Sequence, residues 1–153
     1  MKLKMVQSLA VIFFGGGYLF AGPAMSVDKE QAQSAVSDVF CQPDIRETVS
    51  SLMNMDRLEQ TAKFTQEGYE HFKKERSDLR LKLKGQFYEL LKSKGIVTTD
   101  FERYLSQLNP ADRGQLAESM VKGGQKNCPT ELQKACFDLN RAEFYIVGLF
   151  NYN

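Results

Sequence analysis

Between Leu58 and Leu90 the chain places Leu58, Ala62, Tyr69, Phe72, Leu79, Leu83, Phe87 and Leu90 at helical steps, with Thr65 and Arg76 as polar interruptions. Steps of three and four residues keep side chains on one side of a helix, whereas a strand would send them to both faces of a sheet. The spacing predicts one long helix over about 56–93, ended at Gly95, where a left-handed residue is needed. Gly68 and Gly85 are the positions where it would kink or break. A straight helix of that span would be about 57 Å long at ~1.5 Å per residue. Shorter neighbours would leave part of its stripe uncovered unless a partner met it.

The same periodicity recurs on either side. Ala32, Ala35, Val36 and Val39 form a stripe over 28–40, and Pro43 opens a second helix to about Met53 with Ile45, Val49 and Leu52 inward. Thr98-Thr99-Asp100 caps a helix carrying Phe101, Tyr104, Leu105 and Leu108. Asn109-Pro110 opens another that Gly123-Gly124 would stop. A last helix from Pro129-Thr130 carries Leu132, Ala135, Cys136, Leu139, Ala142, Ile146 and Leu149. No stretch alternates as a strand would. The expectation is an all-α fold: a single helical bundle of five or six helices, one of them long, occupying residues 27–153.

Residues 1–26 read differently. Lys2 and Lys4 precede an uncharged, mostly apolar run from Met5 to Ala21, and small residues follow at Gly22, Ala24 and Ser26. That order is a signal peptide's, with cleavage expected before Val27, or alternatively before Met25. The rival is a retained membrane anchor, which Gly15-Gly16-Gly17 would weaken as a helix. Export to a bacterial periplasm, or to the extracellular space, is the resulting expectation.

In an oxidising compartment Cys41, Cys128 and Cys136 should yield one disulfide and one leftover thiol. If Cys136 lies two turns into a helix beginning near Cys128, those two are about 12 Å apart and cannot bond. Cys41 is then one end. The apolar-face position of Cys136 favours a Cys41–Cys136 bridge with Cys128 exposed, and Cys128 is the alternative partner.

The chain carries 20 basic and 19 acidic residues, so overall charge gives no reason to expect nucleic acid. Locally, 73–94 holds eight basic residues against three acidic ones. Lys73, Lys74, Arg76, Arg80, Lys82 and Lys84 are the candidate partner-binding residues, facing an acidic protein surface, a second copy, or anionic lipid.

Catalytic and metal signatures are sparse. His71 is the only histidine, and no spacing sets a nucleophile beside it. Met53-Asn54-Met55 has a soft-metal spacing but fits a helix packing corner better. One histidine and three scattered cysteines lack paired zinc-ligand spacing, and no phosphate-cradling glycine loop occurs, so neither metal nor cofactor is expected. The expected function is protein binding by an exported helical module of the accessory, chaperone-like or immunity kind. A hydrolase with an unrecognised site, or a lipid-surface protein using the 73–94 stripe or the apolar end at 144–150, is the alternative.

Overall fold

A computed structural model describes residues 26–150, so all of the expected leader of 1–26 except Ser26 lies outside the described residues. The fold is all-α. Helix α1 spans Lys29–Ser37, a 3-10 turn follows at Val39–Cys41, and α2 spans Pro43–Thr61. Then come α3 (Gln66–Ser93), α4 (Thr98–Gln107), α5 (Pro110–Lys126), α6 (Thr130–Lys134) and α7 (Leu139–Gly148). No helix among the described residues is long and apolar enough to cross a membrane.

Local chemistry sets most of these ends. Asp28 and Gln31 form a reciprocal capping box that starts α1. Pro43 sits in the first turn of α2, and Asn109 caps α5 ahead of Pro110. Gly95 terminates α3 with φ of 75°, the left-handed conformation expected there.

The helix expected over 56–93 is two helices. Helix α2 continues past Met53 to Thr61, and the chain leaves helical geometry from Ala62 to Thr65. The Thr65 hydroxyl oxygen accepts the Gly68 N–H at 3.1 Å and starts α3 afresh. Phe64, Tyr69 and Phe72 close the turn as an aromatic cluster, with centroids 5.0–6.2 Å apart. The break is four residues, about one helical turn. The apolar spacing therefore stays in register across it, and periodicity alone does not reveal the reversal. The two stripes face one another in an antiparallel hairpin.

Gly123-Gly124 does not stop α5, which runs on to Lys126. Both glycines are buried. A Cβ on Gly123 would lie 1.9 Å from the Ser37 carbonyl oxygen, and one on Gly124 would lie 2.6 Å from Leu139 Cδ2. Gly123 lets α5 press against the end of α1, the most extensive helix pairing among the described residues, and Gly124 makes room for Leu139 and Phe40. The core they help close contains Val36, Phe40, Leu52, Leu83, Phe87, Phe101, Met120 and Ile146.

The expected Cys41–Cys136 bridge is replaced by Cys41–Cys128, with a Cα–Cα distance of 4.8 Å. Cys136 is free and exposed. The last helix is interrupted over Ala135–Asp138, where Asp138 caps α7 by accepting the Arg141 N–H at 3.1 Å. Cys136 therefore falls in a connector and not on an apolar helix face. Cys128 lies just beyond α5 and is 5% exposed, carried to the 3-10 turn by the close approach at Gly123.

Arg46 is buried beside this bond, at 7% exposure. Its Nε–H donates to the Phe40 carbonyl, and Nη1 donates to the Leu132 carbonyl at 3.0 Å. Nη2 lies 3.8 Å from Cys128 Sγ, and the guanidinium sits 4.7 Å from the centre of the Phe137 ring. Burial lowers its pKa below that of an ordinary arginine.

Two glycine substitutions separate close packing from helix propensity. Gly123→Ala should destabilise the fold by about 3 kcal/mol, because backbone must move to admit the methyl group. Gly85→Ala, where nothing lies within 4 Å of the added carbon, should stabilise it by about 0.5–1 kcal/mol. Chemical denaturation of both variants checks the opposite signs.

Candidate functional site

The α2–α3 hairpin extends beyond the main core. Leu52 and Leu83 are its outermost members of the core cluster, and past them Met55 and Phe72 are buried separately. At that transition α7 crosses the hairpin and a cleft of about 500 Å³ opens. Helix α2 lines it with Leu52, Asp56, Glu59 and Gln60, α3 with Arg80, and α7 with Arg141, Phe144, Tyr145, Gly148 and Leu149.

A polar network runs along the inner wall. Arg76, 18% exposed at its side chain, reaches across from α3 to Glu59 Oε2 at 2.5 Å and to Asp56 Oδ1 at 3.8 Å. Its guanidinium also stands 5.3 Å from the centre of the Phe72 ring. The Tyr69 hydroxyl donates to Glu59 at 3.1 Å, and the Tyr145 hydroxyl donates to Asp56. The hydrogen bonds from Arg76 and Tyr69 hold the Glu59 carboxyl below its ordinary 4.5. Burial first, and then the bond to Asp56, push the Tyr145 hydroxyl up to about 12. The wall is therefore two acidic side chains gathered around one arginine, with the hydroxyls of Tyr69 and Tyr145 donating to them.

The rim is different. Arg80 and Arg141 are exposed, and no ion pair involves either among the described residues. Arg80 acts on Glu59 only through its field, and Arg141 touches the Tyr145 hydroxyl. Phe144, 69% exposed, is the most exposed of the large apolar side chains described. The cleft thus offers an aromatic ring and two guanidinium groups over a closed polar wall, with an excess of one positive charge once Arg76 is included.

The six expected partner-binding residues do not make one surface. At about 100° per residue, Lys73, Arg76, Arg80 and Lys84 share a side of α3, Lys74 stands about a quarter-turn away, and Lys82 points oppositely. Lys73 pairs with Glu70 at 2.9 Å and Lys74 with Asp78 at 3.5 Å, each within α3. Arg76 is committed to the inner network, and Lys84 lies 5.5 Å from the centre of the Tyr88 ring. Only Arg80 of the six lines the cleft.

Other candidates disperse too. His71 is exposed and makes no hydrogen bond or ion pair among the described residues. Met53 and Met55 lie two positions apart on α2, so they diverge, and Met55 is buried. No group of three or more His, Cys, Asp or Glu side chains placed to hold a metal occurs among the described residues. The apolar segment 144–150 is mostly core: Ile146 and Leu149 are buried, and Phe150 packs 5.2 Å from Phe87 and 5.7 Å from Phe101 by ring centres. Phe144 alone turns outward. Asp56, Arg141 and Tyr145 carried no signal in the sequence, because only the α7 crossing brings them to the hairpin.

Comparison with family models, with curated proteins and with solved structures finds no match to this chain.

The sign of the Glu59 shift gives a pH test. A carboxyl held low in the folded state contributes stability above its unfolded pKa and loses it as pH falls through the folded value. Wild type should therefore lose more stability than Arg76→Gln between about pH 6 and about pH 3. NMR titration should find the Glu59 carboxyl of the variant moved up toward its ordinary value. Equal pH slopes would contradict the network.

Proposed function

We propose that this protein is an exported helical module that binds another protein, taking an acidic segment of that partner into the cleft between α2, α3 and α7. The observation that carries the reading is Phe144: a large aromatic side chain, 69% exposed, on a cleft wall that also bears Arg80 and Arg141. An aromatic anchor with flanking arginines is the combination that concentrates binding energy in protein interfaces. A segment with an apolar residue between carboxylates complements it. The carboxylates of Asp56 and Glu59 do not oppose such a partner, because Arg76 and the two phenols already engage them.

Export is supported by the basic-then-apolar leader and by the disulfide, since such bonds persist mainly in oxidising compartments. Mass spectrometry of the native protein should find a chain beginning at Val27 with Cys41 and Cys128 bonded. A chain retaining its first twenty-six residues with every thiol reduced would reject export.

Binding is tested with a photo-crosslinking residue at position 144 and, as a control, at Leu81, which is exposed on α3 but does not line the cleft. Position 144 should give a discrete, salt-sensitive adduct in the envelope fraction, and position 81 should not. The double change Arg80→Glu, Arg141→Glu should weaken the captured interaction at least about tenfold, roughly 1.4 kcal/mol. Equal adducts from both positions, or none from 144, would reject the cleft as the binding site.

A further inference from the structure

We propose that the Cys41–Cys128 disulfide is an exchangeable redox site, in which Cys41 accepts an incoming thiolate, Cys128 is the leaving sulfur, Arg46 stabilises the thiolate that departs, and a dithiol is the co-substrate. Arg46 lies apart from the cleft, buried beside the bond. Two of its N–H groups are taken by backbone carbonyls of Phe40 and Leu132. A third nitrogen, Nη2, is directed at Cys128 Sγ from 3.8 Å. A disulfide sulfur is a weak acceptor for that nitrogen, and a thiolate is a strong one. Removing a cation from water is costly unless an anion accompanies it. Among the described residues, no carboxylate forms an ion pair with Arg46. The oxidised protein therefore holds a buried charge whose complement appears only when Cys128 is reduced.

The surrounding elements carry other ionisable groups: Asp38, Asp44, Glu47, Lys126, Glu131 and Lys134. Asp38 is held by Lys94, and Asp44 accepts the Ile45 N–H. None of the six makes a hydrogen bond or ion pair with Arg46 or with either sulfur. Arg46 is thus the charge in contact with the bond.

Burial gives the exchange a direction. Cys41 is partly exposed on the 3-10 turn, whereas Cys128 is buried. A thiolate of the dithiol attacks Cys41 Sγ. The Cys41–Cys128 bond breaks, its electron pair goes to Cys128 Sγ, and a mixed disulfide remains on Cys41. The second thiol of the reagent, after giving its proton to solvent, attacks its own sulfur in that mixed disulfide. Cys41 leaves as a thiolate and takes up a proton. The protein gains two electrons and the dithiol becomes a disulfide. A leaving thiol of lower pKa departs faster and makes its disulfide the stronger oxidant, and a neighbouring arginine lowers that pKa.

The test uses the oxidised, folded full chain in a Cys136→Ser background, which removes the exposed third thiol. Equilibration with mixtures of reduced and oxidised dithiothreitol, then alkylation and mass measurement, gives the ratio at half-reduction. Arg46→Gln should require a reduced-to-oxidised ratio at least about tenfold higher than wild type, about 30 mV for a two-electron couple. Arg46→Lys should stay within about threefold. A purely structural Arg46 predicts the opposite sign, because loosening the junction exposes the bond and eases its reduction. An unchanged or lower ratio for folded Arg46→Gln overturns the proposal, as does a wild-type bond that dithiothreitol opens only after denaturation. Should Arg46→Gln not fold, thiolate absorbance of the reduced Cys136→Ser protein decides. One thiolate per molecule at about pH 6.5 is expected, where an ordinary cysteine is only about 1% ionised, and its absence overturns the proposal.

Discussion

The architecture depends on how closely α5 meets the end of α1. At Gly123 there is no room for a single carbon between one backbone and the next. That contact is steric, so it sets position to within a few tenths of an ångström in a way that apolar burial, which is not directional, does not. With α5 fixed there, the residue just past its end, Cys128, reaches Cys41 across 87 positions of sequence. Closing so long a loop removes denatured-state freedom equivalent to about 4.5 kcal/mol. The same approach puts Phe40 beside Gly124 and brings Leu132 and Phe137 around Arg46. Steric fit, covalent bond and buried cation are three consequences of one helix contact.

From this junction α2 carries order outward. Its first turns belong to the main core through Ile45, Val49 and Leu52, and its last turns pair with α3 beyond that core. Apolar packing thins along the hairpin, and the arm is completed by the Phe64–Tyr69–Phe72 cluster and by Arg76 with its carboxylates. The cleft lies at this change of chemistry. Helix α7 has to meet the hairpin there with a ring and an arginine pointing outward, because its inward positions, Ala142, Ile146 and Leu149, are already spent on the core.

Helix content and most helix ends were legible because they depend on near neighbours: Pro43, Asn109 before Pro110, and Gly95 at its positive φ, although the expected Thr98-Thr99-Asp100 cap lies inside α4 and makes no capping side-chain bond. What escaped reading depends on the chain returning upon itself. The turn at Ala62–Thr65 is about one helical turn long, so it preserves the apolar register and hides the reversal. Gly123-Gly124 offers two meanings, a stop or a place for close packing, and only the proximity of Ser37 distinguishes them. The cysteine pairing failed for a related reason. Leu132 to Leu149 reads as one continuous stripe, whereas the helix is interrupted at Ala135 and Cys136 is left outside it. The basic run over 73–94 is a feature of order along the chain, and coiling at about 100° per residue distributes it around α3. Of the site, Arg80 and Phe144 were visible as residues, but their meeting was not.

Arg46 and Arg76 show how far residue type alone falls short of function. Each is an arginine on a helix flank, substantially withdrawn from water. Arg76 faces Asp56 and Glu59, so its charge is matched, and its effect is to hold two helices at a fixed separation and to neutralise the cleft wall. Arg46 has Glu47 next to it in sequence, but that carboxylate is exposed while the guanidinium turns inward toward carbonyls, a ring and a sulfur. Carbonyl oxygens bear partial charge and satisfy its N–H groups without cancelling its full charge. A matched arginine has no preference for a change in its neighbours. An unmatched one favours whichever state of its surroundings carries the missing negative charge, and the sulfur of Cys128 is the neighbour whose charge oxidation and reduction alter.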